Sequence, residues 1–348
     1  MVEYVPALDI RKKFKASGRV RDVVRRLGVI TADRVHLKRY PVENPVSIFN
    51  PGLVVDGNEV VVYSRITLGY YTYASAVAEF SIPISDLKKG GLVGHYTAEI
   101  TVLPGNNFDW WGVEDPRVYE IDGMRLMTYC GRTVSYFDSK ADVERALPVT
   151  AVFEEGRWRK ACVFRLPKDL RRNVVSDKDA FLVKMGGKLK FFHRVHMRDD
   201  GFCMVISDVP EDVLSFDKFR EIVVSGTACV IEPAKFEEKI GWGTPPLKVG
   251  EEYLLFVHAV ERRRMRYSVF AILMDDNAEV TAITPYYIMQ PKEIYEVYGD
   301  RPFTIFPCGA QLVDDRIIIS YGAADSSIGI GEVDLSEIMA ILDSNRVQ

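Results

Sequence analysis

Five segments of this chain repeat one hairpin pattern at almost constant intervals, and that regularity restricts the fold more than any other feature. The first copy runs Asn50-Pro51-Gly52-Leu53-Val54-Val55-Asp56-Gly57 into Val60-Val61-Val62-Tyr63-Ser64-Arg65, and the pattern returns at residues 114–132, 178–194, 243–258 and 307–325. Its turn positions, Gly57, Gly123, Gly187, Gly250 and Asp315, stand 66, 64, 63 and 65 residues apart. A period of that size is one supersecondary unit, long enough for four ordinary strands with their loops. Short β-rich runs at residues 59–63, 125–129, 188–192, 253–257 and 316–320, each bounded by turn residues, fit that content. Five units predict an all-β, five-bladed β-propeller, whose circular closure protects sheet edges that an open array would expose.

Helical periodicity is scarce. Ile10, Phe14, Val20, Val23, Val24 and Leu27 stand among many Lys and Arg, which predicts one or two short amphipathic helices interrupted at Gly18. The expected organisation is therefore a helical N-terminal extension at residues 1–34 and a propeller at residues 35–348. That extension is a candidate contact for a homo-oligomer. Further short helices are expected at residues 85–89, 211–219, 291–298 and 335–342, at blade edges or connections. No linker rich in Gly, Ser or Pro divides the chain.

A hydrophobic content of 47% with 27% charged residues predicts a soluble globular core. The net charge of -4 gives no general polyanion surface, so a nucleic-acid role is not expected, although residues 11–26 and the run Arg262-Arg263-Arg264 are locally basic. The five cysteines are odd in number and widely spaced, without a CxxC pair, which points to free thiols in a reducing compartment. His193, His196 and His258 are too irregularly placed for a metal site, and none is expected. No basic segment leads into an apolar stretch and no window is long enough to span a membrane, so the expected location is cytoplasmic.

In an antiparallel hairpin the start of the first strand lies beside the end of the second. The repeat thus pairs Asn50 with Arg65, Asp115 with the Gly131-Arg132 end, Lys178 with His193-Arg194, Gly243-Thr244 with His258, and Cys308-Gly309 with Asp325. If every blade places its hairpin alike, these pairs face one mouth of the central channel. Packing between blades requires none of these polar groups, and buried unpaired charge is costly, so the set either neutralises itself or binds a ligand.

Several of these segments resemble glycoside hydrolase family 130: Gly112-Val113-Glu114-Asp115-Pro116-Arg117, Lys178-Asp179-Ala180, Lys239-Ile240-Gly241-Trp242-Gly243-Thr244-Pro245-Pro246, and Phe306-Pro307-Cys308-Gly309-Ala310 with Tyr321-Gly322-Ala323-Ala324-Asp325. The resemblance runs in order through all five repeats. It implies a five-bladed propeller and, for most of that family, inverting phosphorolysis of β-mannosides. It further implies that Asp115 is the general acid, acting through the 3-hydroxyl of the mannosyl unit, and that Asn50, Arg65 and Asp325 hold that sugar. Lys178, Arg194, Lys239 and Tyr267 match phosphate-binding positions, and His258 a histidine near sugar or phosphate. Many family phosphorylases carry Arg where this chain has Lys178, which keeps the charge but loses the bidentate fork.

The residues support this chemistry on their own terms. An inverting hydrolase needs an acid and a base carboxylate roughly 6.5 to 9.5 Å apart. A phosphorylase needs one acid, with cations to hold a nucleophile that is already anionic. One acid candidate beside several cations favours inorganic phosphate as co-substrate, with no other cofactor; a β-mannoside oligosaccharide as substrate is what the family resemblance implies. Trp111, like Trp110 and Trp242, is open to either sugar stacking or core packing. Asp179 is expected to organise its loop. The rival readings are a hydrolase of the same family, a non-catalytic glycan-binding propeller, and a furanosidase of the arabinanase or invertase type.

Overall fold

The computed structural model describes residues 18–88, 92–138, 144–199, 201–215 and 217–347. Five sheets stand in sequence order around an axis, each with the predicted repeat hairpin innermost. From the axis outward, blade 1 contains Ser47–Asp56, Glu59–Thr67, Ser75–Pro83 and Tyr96–Val102, and blade 2 contains Val113–Ile121, Met124–Arg132, Ala146–Glu154 and Arg157–Arg165. Blade 3 is Val174–Met185, Lys188–Met197, Phe202–Asp208 and Ser225–Ile231; blade 4 is Glu237–Trp242, Glu252–Glu261, Arg266–Met274 and Val280–Ile283. Two exposed edges are covered by parallel additions: Val35–Leu37 on blade 1, and Arg220–Val223, which leaves blade 3 to pair with blade 2. Covering an edge in this way blocks pairing with another chain.

Blade 5 corrects one expectation. Its outer strand is Arg25–Ile30, antiparallel to Ser327–Asp334, so residues read as part of a helical extension instead close the ring. The error has a physical source. The register slips between Arg26 and Gly28, and this extra residue converts strand alternation into the spacing of Val24, Leu27 and Ile30, all buried, which mimics one face of a helix. The rest of the expected helix, up to residue 17, lies outside the described residues.

Large apolar side chains fill the spaces between neighbouring blades. Phe164 of blade 2 stacks on Phe191 of blade 3 at 4.1 Å, and Trp242 of blade 4 packs edge-on against Phe192 at 4.8 Å. The Trp242 indole donates to the carbonyl oxygens of His193 and Val205, so this tryptophan belongs to the core and not to a sugar platform. Short helices form at Ile84–Lys88, Ile294–Val297 and Leu335–Asp343, the last capped by Asp334 accepting from the amides of Ser336 and Glu337. Of residues 211–219, Glu211–Leu214 is a single 3-10 turn.

Three inner strands share a backbone device. The ladder skips between Phe49 and Gly52, Glu114 and Arg117, and Lys178 and Phe181. In each skip sits a residue at positive φ: Asn50 at 51°, Asp115 at 52° and Asp179 at 52°. Asn and Asp tolerate this left-handed conformation better than other side-chain-bearing residues, and a bulge re-aims the side chain it carries. Two hairpin pairings differ from expectation. Gly243-Thr244-Pro245-Pro246 interrupts blade 4, so His258 pairs with Gly241. In blade 5 Ile305 pairs with Ala323, which leaves Asp325 beyond the strand end and away from Cys308-Gly309.

Candidate active site

The bulges and strand ends converge on an axial cavity of about 260 Å³. Eight of the ten residues singled out in the sequence line it: Asn50, Arg65, Asp115, Lys178, Arg194, Lys239, Tyr267 and Asp325. Two do not. His258 is fully buried behind the wall, its ring 4.5 Å from that of Phe306 and 6.0 Å from that of Tyr267. Trp111 is half-buried outside the lining, and neighbouring Trp110 is 64% exposed.

On the side built by blades 1 and 2, Asn50 Nδ2 donates to Asp115 Oδ1 at 2.7 Å and Arg65 Nη1 to the same oxygen at 3.3 Å. Among the described residues nothing donates to Asp115 Oδ2, so one oxygen of this cavity-lining carboxyl is left for a ligand. Glu114 faces the same cavity but is committed. It accepts from Arg65 at 3.1 Å and from the Tyr136 hydroxyl at 2.7 Å, with Lys178 3.6 Å away. Burial opposes its ionisation, yet the charges of Arg65, Lys178 and Arg132 prevail and hold its pKa down at about 2.

Asp179, in the matching bulge of blade 3, is committed on both oxygens: Arg194 Nε reaches Oδ2 at 2.5 Å and Arg117 Nη2 reaches Oδ1 at 3.4 Å. Despite burial these charges keep it well below the usual carboxylate range. Arg117 lies under the floor and fixes it. Its guanidinium donates to the carbonyl oxygens of Asp115 at 2.9 Å, Gly243 at 3.0 Å and Trp242 at 3.1 Å, joining blades 2 and 4. His258 Nε2 lies 3.4 Å from Asp179 Oδ2, but burial, chiefly, and nearby Arg194, Arg117 and Lys239 push its pKa down to about 3, so the ring is neutral at working pH.

Asp325 behaves oppositely to Glu114 and Asp179. Burial raises its pKa to about 6, against the opposing pull of Arg301 and Arg65. Lys239 is the exception among the cations: among the described residues no carboxylate lies within 4.0 Å of its ammonium. Its Nζ lies 5.3 Å from the centre of the Phe202 ring and 5.7 Å from that of Tyr267. Burial, with Arg194 and Arg301 nearby, depresses its pKa.

Sequence reasoning missed Arg301, Tyr136 and Phe202 on the cavity wall. Arg301 and Tyr136 enter from loops outside the repeated hairpins, where a search by period has no purchase, and Phe202 opens the third strand of blade 3. Among the described residues no cluster of three His, Cys, Asp or Glu is placed to hold a metal ion, and no helix is long and apolar enough to cross a membrane.

The family model of glycoside hydrolase family 130, described as β-1,4-mannooligosaccharide phosphorylase, matches residues 15–344. A β-1,2-mannobiose phosphorylase of Thermoanaerobacter sp. (strain X514) is 26% identical over 312 residues, covering 84% of this chain and 91% of its own. Among solved structures, the β-1,2-mannobiose phosphorylase of Listeria innocua in complex with β-1,2-mannobiose superposes with a TM-score of 0.71 at 18% identity, over 92% of this chain and 99% of that one. Another superposes with a TM-score of 0.60 at 17% identity over 83% of this chain and 85% of its own, and is described as showing that the family contains hydrolases of β-1,2-mannosidic linkages as well as phosphorylases. With its model matched over nearly the whole sequence and its propeller shared by these structures, the chain belongs to glycoside hydrolase family 130.

Proposed function

We propose that this protein is an inverting phosphorylase that cleaves a β-linked mannoside with inorganic phosphate, releasing α-mannose 1-phosphate and a shortened acceptor. The observation that carries the reading is Lys239, a largely buried ammonium without a carboxylate partner among the described residues, with Arg194 and Arg301 nearby and Lys178 lining the same cavity. Like charges at close quarters repel one another, and an arriving phosphate reverses that penalty.

The roles follow from position. Asn50 and Arg65 fix Oδ1 of Asp115, leaving Oδ2 to carry the proton that reaches the glycosidic oxygen by way of the sugar's 3-hydroxyl. Asp325 accepts hydroxyl groups of the same sugar. Lys178, Arg194, Lys239 and the Tyr267 hydroxyl hold phosphate for in-line attack on the anomeric carbon, where the bond to the acceptor oxygen breaks. His258 acts from behind the wall, as a neutral ring that packs Phe306 and Tyr267 in place. Trp111, which does not line the cavity, takes no part in these roles.

The test is incubation with β-1,2- and β-1,4-mannobiose and their longer homologues, with and without phosphate, and mass analysis of the products. A hexose phosphate formed only when phosphate is present supports the proposal. Free mannose released at a rate indifferent to phosphate refutes it and identifies a hydrolase.

A further inference from the structure

Arg301 belongs to none of the repeated hairpins, yet it reaches between the two halves of the cavity. It enters from the segment that joins helix Ile294–Val297 to the inner strand of blade 5, Ile305–Val313, and its backbone N–H donates to the Ala324 carbonyl at 3.0 Å. Ala324 in turn donates to Thr304 at 2.8 Å, so the backbone on both sides of the arginine is anchored. The side chain spans the lip. Nε stands 3.5 Å from Asp325 Oδ2, on the side assigned to sugar, and Nη1 donates to the Tyr267 hydroxyl at 3.4 Å, on the side assigned to phosphate.

We propose that Arg301 is a shuttle between these sides: it caps Asp325 in the empty site, moves to phosphate when phosphate binds, and thereby frees Asp325 for the hydroxyl groups of the sugar. The inference rests on the phosphorylase reading above. Both present contacts are long and the Arg301 side chain is 58% exposed, so the Asp325 pair is held loosely. A phosphate between Lys239 and Tyr267 offers two or three charged oxygens to the guanidinium fork, a stronger partner than one oxygen at 3.5 Å. Release removes the cation that competes with sugar for Asp325, so phosphate and sugar bind with positive coupling. By linkage the coupling is equal in both directions.

Arg301→Gln removes the charge, and Arg301→Lys keeps it without the fork. Because the side chain is exposed and its backbone anchors are retained, both variants should fold, which thermal unfolding verifies. Mannose, which has no glycosidic bond to cleave, serves as the probe of the proposed sugar site and is titrated calorimetrically with and without saturating inorganic phosphate. The parent should bind mannose roughly five- to tenfold more tightly with phosphate, within the usual range of coupling. In Arg301→Gln that ratio should fall to about one and the phosphate KM should rise roughly tenfold, with kcat changed less; Arg301→Lys should recover part of the phosphate KM. A phosphate-dependent parent whose Arg301→Gln variant keeps the parental ratio and phosphate KM overturns the shuttle and leaves the phosphorylase reading intact. A parent that releases sugar regardless of phosphate overturns both.

Discussion

Replacing Lys239 by Met tests whether an ammonium with no carboxylate partner among the described residues exists for a ligand or for the fold. The substitution keeps the length of the apolar stem and removes only the charge. Two unit charges about 4 Å apart interact by about 4 kcal/mol at an effective dielectric near 20, and hydrogen bonds to charged groups are worth about 1.5–3 kcal/mol net. Part of that gain is already spent in the free protein, where Lys239 is buried beside Arg194 and Arg301. A net loss of about 2–3 kcal/mol is therefore expected, which is roughly a 30- to 150-fold rise in the phosphate KM. Stability should respond in the opposite sense. Without phosphate the variant loses a desolvated cation and two repulsive neighbours, so its Tm should equal or exceed the parent's; with phosphate only the parent should gain substantially, by about 2.7 kcal/mol at a hundred times Kd. Initial rates against phosphate at saturating mannoside, with thermal scans in both conditions, read both effects. A Tm lowered by several degrees with an unchanged phosphate KM would show that Lys239 serves the fold, and the reasoning fails.

Three further outcomes are expected. Asp115→Asn should lower kcat by roughly 10²- to 10⁴-fold while retaining sugar binding, because Asn accepts from Asn50 and Arg65 and tolerates the φ of 52°; near-parental turnover would remove Asp115 from the acid role. Asp325 is held at about 6, above the roughly 3.9 of an unfolded-chain Asp, so folding takes up a proton and stability falls as pH rises between those values. Asp325→Asn should therefore be more stable than the parent by an amount growing from pH 4 to about 6.5, on the order of 1–3 kcal/mol, and a pH-independent difference in chemical denaturation refutes the raised pKa. At Gly241 a Cβ would lie 2.4 Å from Asp179 Oδ2 and 2.6 Å from His258 Nε2, so Gly241→Ala should cost about 1–3 kcal/mol and weaken phosphate binding through Arg194; a variant of parental Tm and activity contradicts this.

The period made the blades legible because four of the five turns place a glycine at positive φ, Gly57, Gly123, Gly187 and Gly250, while in the fifth Asp314 takes that conformation. It made most of the cavity legible because residues at equivalent strand ends must share a face. Two kinds of information escaped. A bulge at Leu27 converted a strand into helical spacing, an error that hydrophobic period cannot detect without knowing the pairing. Depth was the other: the repeat puts His258 on the blade 4 hairpin, but whether its side chain reaches the cavity or stops behind Tyr267 and Phe306 depends on packing within that blade and against the next. Arg301 combines both limits, being carried by an unrepeated loop and defined only by what it meets across blades.

Why Asp115 and not Asp179 should be the acid follows from the device the two share. Both occupy the left-handed position of an inner-strand bulge, as does Asn50, so the backbone aims all three at the axis in the same way. What differs is what each blade's neighbours supply. Asp179 receives guanidinium groups on both oxygens, from Arg194 and Arg117, which holds it ionised and leaves it no oxygen to give a proton from. Asp115 has its cation and its amide stacked on a single oxygen, and Glu114 beside it draws much of the Arg65 charge to itself. The amide is Asn50, the equivalent residue one blade earlier. Had blade 1 carried Asp at that position, two carboxylates would compete for one arginine; with Asn there, a neutral donor orients the acid without fixing its charge. On the proposed reading, three copies of one bulge have separated into an orienting amide, a proton carrier and a charged anchor, and the separation depends on side-chain identity and not on backbone path.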